Sequence, residues 1–199
     1  MITKQLAKQP STAPIAYGTN GSEAHPKQWI AILVQSNCEK RSALQLKKAG
    51  FESYIPVQQE VHQWSDRQKT IQRLVIPMIV FVHCTPQEQY RLRELACVHK
   101  LLALPGSLEA KQHLATAIPD AQIDALRFLL QNANSSVSLA SDLNAGDFVQ
   151  VTSGPLRGMK GIVAEVEGKS MIAIKLELFG YVCVKIDRKD VLKENINTL

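Results

Sequence analysis

Histidine and cysteine side chains are the groups in this chain that could carry catalysis or hold a metal ion. His83 and Cys84 are adjacent in a run of β-forming residues, where neighbouring side chains point to opposite faces, so the two cannot act together. Cys97 and His99 could share a face, but no third group completes a catalytic or metal-binding set. The sequence contains no HExxH, GxGxxG or P-loop pattern. We therefore predict that the protein is not an enzyme and binds no metal and no cofactor.

Basic side chains offer a different chemistry, which is contact with nucleic acid. Residues 38–49 are good helix formers, and Gly50 is placed to end the helix in a left-handed conformation. Four basic residues fall within one arc of that helix: Lys40, Arg41, Lys47 and Lys48. Such a stripe could contact a single strand through its phosphates and through cation–π stacking, and the alternative is a solvated, charged helix face.

Two further sets of residues could extend that nucleic-acid surface. Arg91 and Arg93 lie on a second predicted helix, which begins with a capping box of Thr85 and Glu88. Trp64 and Arg67 lie at a polar hairpin tip, where they could brace duplex DNA or could only cap the sheet. The net charge of +5 lies entirely before residue 142, whereas the rest of the chain is neutral. This asymmetry suggests two units with different partners, the first of them near nucleic acid.

The elements that must position these residues form two units. Residues 1–27 show no hydrophobic period and are predicted to be a disordered tail. Residues 28–130 give the order β-α-β-β-β-α-β-α, which predicts an α+β sandwich with a mainly antiparallel sheet. Its last helix opens at Pro119, with Phe128 among the apolar positions of its core-facing side. Residues 131–141 are small and polar and are predicted to be a flexible linker.

Residues 142–199 contain four short β-like runs, at 147–152, 161–167, 170–176 and 181–186, spaced as in a small β-barrel. The first two runs flank a glycine-rich turn that contains Gly154, Gly158 and Gly161. Glycine suits such a turn because the backbone there needs a positive φ or a close approach. A generic hairpin would also show this pattern. The length of the pattern and the following Phe179-Gly180 favour a resemblance to the KOW motif of NusG-type factors and several ribosomal proteins.

The first unit resembles the N-terminal domain of the NusG family of transcription factors. The resemblance rests on a strand that opens with Trp29-Ile30, a basic helix, a polar hairpin and the segment LVIPMIVFV at 74–82. In the family that segment commonly reads FFPGYVFV; here Pro77 and Val80-Phe81-Val82 match, while Met78-Ile79 replaces Gly-Tyr. The stretches GFESYIPVQQE and QWSDRQK look closest to the UpxY-type antiterminators, which act on operons for surface polysaccharides.

The resemblance implies a docking strip for the clamp helices of the largest RNA polymerase subunit. The strip would consist of exposed Ile76, Pro77, Ile79 and Phe81. The alternative is that these residues belong to the core of a central strand, since strand residues alternate between faces. In the related RfaH type the basic helix reads a DNA element, and Arg41 and Lys48 occupy similar places. The resemblance thus implies contact with the non-template DNA strand.

The expected function is a monomeric elongation or antitermination factor that binds RNA polymerase and suppresses pausing and termination. The KOW unit would recruit a second partner, which in this family can be a ribosomal protein, Rho or leader RNA. The alternative is a KOW-type RNA-binding or ribosome-associated protein without polymerase contact, which a neutral second unit disfavours. The four cysteines form no CxxC pair and no apolar run could span a membrane, so we expect a cytoplasmic protein without membrane contact.

Overall fold

The computed structural model describes residues 26–63, 68–141, 146–166 and 169–193. The predicted tail at 1–27 lies outside this part of the chain except for its last two residues, and the hairpin tip with Trp64 and Arg67 lies outside it altogether. All four described α-helices lie before residue 133, and the later elements are strands apart from a 3₁₀ turn at Arg188–Asp190. The helices and strands are β1 (Gln28–Leu33), α1 (Glu39–Lys48), β2 (Glu52–Tyr54), β3 (Val57–Gln63), β4 (Gln68–Leu74), β5 (Ile79–Cys84), α2 (Glu88–Arg93), β6 (Lys100–Leu101), α3 (Leu108–Lys111), α4 (Asp120–Asn132), β7 (Ser138–Ala140), β8 (Phe148–Val151), β9 (Lys160–Val166), β10 (Lys169–Leu176), β11 (Gly180–Lys185) and β12 (Val191–Lys193).

The N-terminal sheet is antiparallel and has four strands in the order β2-β5-β1-β6. Alternation along its two central strands divides their side chains between two hydrophobic cores. Ile30 and Val82 belong to the core on one face, whereas Ala31 and Phe81, which pair across the strands, belong to the core on the other face. The sheet is therefore buried on both faces, as the apolar sequence of β1 predicts.

Helices α1 and α2 pack on the first of these two faces, because their residues Leu46 and Leu92 lie in the same core as Ile30. Gly50 ends α1 with a φ of 88°, the left-handed conformation predicted for it. A capping box precedes α2: the Glu88 N–H donates to Thr85 Oγ1 at 3.2 Å, and the Thr85 N–H donates to Glu88 Oε2 at 2.8 Å. These local signals are confirmed.

Helix α4 packs on the second face of the sheet and contacts β1, β3 and β10. Its buried residues are Ile123, Leu126, Leu129 and Leu130. Phe128 was predicted for the core but is 37% exposed. The reason is helical geometry, because Phe128 follows Leu126 by two residues and so points to the other side of the helix.

The C-terminal sheet is antiparallel and has six strands in the order β12-β8-β9-β10-β11-β7. Its four central strands match the four predicted runs to within one or two residues. Strands β7 and β12 were not predicted. They form the two edges, and the described residues do not pair them into a closed barrel. The prediction of a mixed α/β chain with antiparallel sheets is confirmed, but the predicted closed barrel is not seen.

Residues 131–141, predicted as a flexible linker, contain the end of α4 and all of β7. Strand β7 pairs with β11 through Leu139↔Val182 and its neighbours. The small polar residues of this segment predicted a flexible linker. The strand that pairs with β7 lies far away in the sequence, so no local pattern indicated the pairing.

Candidate functional site

The predicted docking strip lies in and beside β5, and most of it is buried. Ile76 is 3% exposed, Ile79 is 4% exposed and Phe81 is fully buried, whereas Pro77 is exposed. The turn that carries Pro77 is fixed because Met78, at a φ of 63°, donates its N–H to Glu39 Oε1 at 2.8 Å. The expectation of a fully exposed strip is therefore wrong for three of its four residues in this structure.

The C-terminal sheet takes part in this burial. Phe179, in the turn between β10 and β11, meets Phe81 edge to face, with ring centroids 5.9 Å apart and planes at 88°. Tyr54 stacks on the same Phe81 ring at 6.0 Å. One continuous core joins apolar residues of β1, β5 and α4 to Val149, Ile172 and others of the C-terminal sheet. The C-terminal sheet thus covers the face of the N-terminal sheet to which Phe81 belongs, and we name it the covered face.

Arg127 of α4 lies among aromatic rings of the covered face. Its guanidinium carbon is 4.8 Å from the ring centroids of both Trp29 and Tyr54, so one cation contacts two π-faces. Burial raises the pKa of Tyr54 to about 12, against the opposing charge of Arg127. Trp29 stacks on His83 at 4.8 Å. The sequence could not reveal this cluster, because its members are brought together only by the packing of α4 on the sheet.

Gln58 of β3 ties the segment before β7 to the β3–β4 hairpin. Its side chain is 2% exposed. It donates from Nε2 to the Ser135 carbonyl at 2.8 Å, and its Oε1 accepts the Val137 N–H at 2.8 Å. A buried amide that satisfies two backbone groups fixes the conformation of a segment better than apolar contact alone, because each group would otherwise be left unpaired.

Arg73 of β4 completes this tie. Its guanidinium donates to Ser136 Oγ at 2.8 Å, to the Val137 carbonyl and to Gln58 Oε1 at 3.1 Å, while its Nε pairs with the Glu60 carboxylate. We call Gln58, Glu60 and Arg73 the hairpin clasp. Because β7 begins one residue after Val137 and pairs with β11, the clasp connects the hairpin to the edge of the C-terminal sheet.

The opposite face of the N-terminal sheet carries the predicted basic stripe. All four basic residues of α1 are exposed. Lys40 donates to Gln72 Oε1 of β4 at 2.7 Å, and Lys40 and Lys47 line one shallow groove together with Phe51. Arg41 lines a different depression with Cys97 and His99. The structure therefore places these cations on one helix surface but turns them toward two separate depressions.

The two arginines of α2 differ in their surroundings. Arg91 lies over the Phe51 ring, with 5.7 Å from its guanidinium carbon to the centroid. Arg93 lines a cavity with His99, Lys100 and His113. Arg67 lies outside the described residues. Sequence reasoning missed His99, Lys100 and His113 as neighbours of Arg93, because nothing in their spacing along the chain indicates that they meet.

The glycine-rich turn between β8 and β9 has the geometry that its sequence predicts. Gly154 and Gly158 have φ values of 77° and 88°. A Cβ atom on Gly161 would lie 2.7 Å from the Ala173 carbonyl oxygen and 2.9 Å from Ile172 Cγ1. The first two glycines therefore serve backbone conformation, and Gly161 serves close packing of β9 on β10.

Two of the four cysteines, Cys84 and Cys183, are buried. Burial raises the pKa of Cys84 to about 12 and that of Cys183 to about 11, so both thiols stay protonated near neutral pH. Across the described residues, no three His, Cys, Asp or Glu side chains are grouped to hold a metal ion. Nor does any helix in that part of the chain have the length and apolar character needed to cross a membrane.

Comparison with known proteins yields one family and several relatives. The family described as transcription termination factor nusG matches residues 27–127. The transcription termination/antitermination protein NusG of Escherichia coli (strain K12) is 24% identical over 172 residues, covering 80% of this chain and 91% of the relative. The proteins of the same name from Salmonella typhi and Yersinia pestis match to the same extent.

Two solved structures are also similar. The structure described as domain interaction in Thermotoga maritima NusG covers 85% of this chain and 98% of its own, with 16% identity and a TM-score of 0.49. The MjSpt4:Spt5 complex in conformation A covers 83% of this chain and 97% of its own, with 15% identity and a TM-score of 0.27.

Proposed function

Because the chain belongs to the NusG family of transcription termination and antitermination factors, we propose that it is an elongation and antitermination factor. Members of this family are transcription factors rather than enzymes, and they bind RNA polymerase. The observation that carries the proposal is the family match over 27–127, which contains the four-stranded sheet with its aromatic covered face. The factor would suppress pausing and termination by binding the transcribing polymerase.

The proposed contact with polymerase is the docking strip of Ile76, Pro77, Ile79 and Phe81 against the clamp helices of the largest subunit. Only Pro77 is exposed while the C-terminal sheet covers Phe81. Full docking therefore requires the C-terminal sheet to leave the covered face, and polymerase would select that open state. The closed arrangement then limits polymerase binding without any chemical step.

The basic surface of α1 is proposed to contact the non-template DNA strand. Arg41 and Lys48 are exposed and make no side-chain hydrogen bond or ion pair among the described residues, so both are available for phosphates. The remaining predicted cations, Lys40, Lys47, Arg67, Arg91 and Arg93, would extend the same contact. This surface does not depend on opening, since it lies away from the covered face.

Residues 142–199 are proposed to be a KOW unit joined through 131–141 to the N-terminal domain at 28–130. The glycine-rich turn with Gly154, Gly158 and Gly161 supports this assignment. Once released, the unit could bind a ribosomal protein, Rho or leader RNA. The stretches GFESYIPVQQE and QWSDRQK favour a UpxY-type factor that acts on a polysaccharide operon.

Co-purification with purified RNA polymerase tests the docking strip. Phe179→Ala removes the ring that packs on Phe81, and a loss of about 1–2 kcal/mol from the closed state would raise the open fraction by about 5–30-fold. We expect more of this variant than of the wild type to co-purify. Leu192→Ala, at an exposed apolar residue of β12, is the matched control and should behave as wild type.

A second variant adds to Phe179→Ala a substitution at the exposed residue of the strip. Pro77→Asp, placed in the Phe179→Ala background, adds a charge at the exposed residue of the strip and should abolish the gain in co-purification. If Pro77→Asp with Phe179→Ala binds polymerase as well as Phe179→Ala alone, the docking strip is wrong. RNA binding by all variants with no polymerase binding by any would favour the alternative, an RNA-binding protein without polymerase contact.

A further inference from the structure

A cavity of about 640 Å³ lies beside the end of α2, β6 and the turn after α3. Its floor contains apolar residues such as Leu101 and Leu114, and four cationic or protonatable side chains line it: Arg93, His99, Lys100 and His113. Among the described residues, no carboxylate lines this cavity. None of the four side chains has a hydrogen-bond or ion-pair partner in that part of the chain.

The walls of this cavity are held in place by hydrogen bonds. The His99 N–H donates to the Leu33 carbonyl at 2.9 Å, which anchors the start of β6 beside β1. On the other side, the buried Gln89 side chain of α2 accepts the Ala115 N–H at 2.8 Å. His113, two residues after the end of α3, adopts a φ of 59°, and its N–H donates to the Ala110 carbonyl at 3.2 Å. The backbone that carries these side chains is therefore held by hydrogen bonds.

Glu109 of α3 does not supply the missing negative charge. Hydrogen bonds with its own backbone N–H and with the Ser107 side chain lower the pKa of this carboxyl group. The carboxylate is thus engaged at the start of α3 and is absent from the cavity lining. Clustered cations without a counter-charge repel one another, so an anion that enters the cavity relieves this repulsion.

The depression that contains Arg41 adjoins this cavity, because His99 lines both. The two depressions together present Arg41 of α1 and the four basic groups of the cavity, with His99 in common. Several basic groups on adjoining depressions suit a ligand that presents one phosphate after another, which is the pattern of a nucleic-acid strand rather than of a single small anion. The apolar floor offers a surface for sugar or base.

We propose that this cavity binds a backbone phosphate of the single strand that α1 contacts, an inference that rests on the proposed nucleic-acid contact. Arg93 and Lys100 would supply the permanent charge, and His99 and His113 would donate hydrogen bonds from their ring N–H groups. The site adds His99, Lys100 and His113 to the residues that hold the strand.

Fluorescence anisotropy with a labelled single-stranded oligodeoxynucleotide of about 20 nucleotides tests this inference on the full chain. Arg93→Gln with Lys100→Gln should weaken binding by about tenfold. Loss of two phosphate contacts should also reduce the slope of log affinity against log salt by about 1.4. The matched control, Lys111→Gln with Lys175→Gln, removes the same charge at exposed residues outside the cavity and should change affinity less than about twofold.

Comparing the cavity variant, its control and an α1 variant separates this inference from the proposed function on which it rests. If the cavity variant binds like the charge-matched control while Arg41→Ala with Lys48→Ala binds more weakly, the cavity site is wrong and the α1 contact stands. If all three variants bind as wild type, the nucleic-acid contact itself is wrong. Circular dichroism of each variant confirms that the fold is retained.

Imidazole NMR signals locate the contact. Added oligonucleotide should shift the His99 and His113 signals and leave His83 unchanged, because His83 is stacked on Trp29 and bonded to Glu52. Inorganic phosphate serves as a separate arm. Shifts caused by millimolar phosphate but not by the oligonucleotide would identify a site for free phosphate and overturn the strand-binding inference.

Discussion

The two faces of the N-terminal sheet are both buried, but they are buried by different parts of the chain. Ala31 and Phe81 on the covered face pack against α4 and the C-terminal sheet. Ile30 and Val82 on the other face share a core with residues of α1 and α2, which belong to the same unit. In the proposed open state the C-terminal sheet would leave the covered face, whereas α1 and α2 would stay on the other face as parts of the N-terminal unit.

Under the proposed function, the covered face would be a conditional binding surface and the basic surface of α1 a permanent one. An apolar surface left open would be an aggregation hazard, and the C-terminal sheet shields it. A cationic surface needs no cover, because water solvates it until a strand of nucleic acid arrives. Polymerase binding would then depend on opening, and contact with the strand would not.

The largest expected effect comes from α4, which contacts both sheets. Leu126 is fully buried in the core of the covered face, and Leu126→Ala should lower the free energy of unfolding by about 2–5 kcal/mol. Phe128 lies two residues later and is 37% exposed, so Phe128→Ala should lower the free energy of unfolding by less than about 1 kcal/mol. Urea titration followed by circular dichroism measures both. Equal losses would mean that α4 does not bury the side that the structure shows.

The hairpin clasp gives a smaller effect. Arg73→Ala removes the guanidinium from the Glu60 carboxylate and the Val137 carbonyl. We expect it to lower the free energy of unfolding by about 1–3 kcal/mol. Hydrogen exchange of the β7 amides, such as Leu139, should accelerate more than that of β1 amides, because the clasp holds the segment before β7. Gln59→Ala changes an exposed neighbour on β3 and serves as the control. Acceleration that is uniform over both sheets would contradict a local role.

Local sequence rules predicted those parts of the fold that depend only on residues a few positions apart. In the capping box, the hydrogen-bonding groups of Thr85 and Glu88 lie within one helical turn of each other. At the end of α1, Gly50 itself has the residue type that a left-handed backbone favours. The turn glycines of the C-terminal sheet are another case. In each case, the residue types and their spacing are enough to explain the local backbone conformation.

Long-range packing decided the parts that the sequence did not predict. The family resemblance predicted Phe81 to be an exposed docking residue, and nothing in the sequence indicated that its ring partner, Phe179, would come from a distant turn. The segment 131–141 looked like a tether because Gln58 and Arg73, which hold it, lie more than sixty positions earlier. The cavity beside Arg93 was missed for the same reason, since its basic side chains come from separate elements of the chain.

The smallest expected effect concerns the permanently open surface and sharpens the contrast between the two faces. Arg41→Ala with Lys48→Ala should reduce readthrough of a terminator by purified polymerase, because two phosphate contacts at a solvated surface contribute about 1 kcal/mol together. The same variant should co-purify with polymerase as wild type does, since neither residue touches the covered face. Raising the salt concentration should erase the difference in readthrough, because exposed charges are screened. Loss of polymerase binding in this variant would show that the two surfaces are not independent, and unchanged readthrough at low salt would remove the basic stripe from the mechanism.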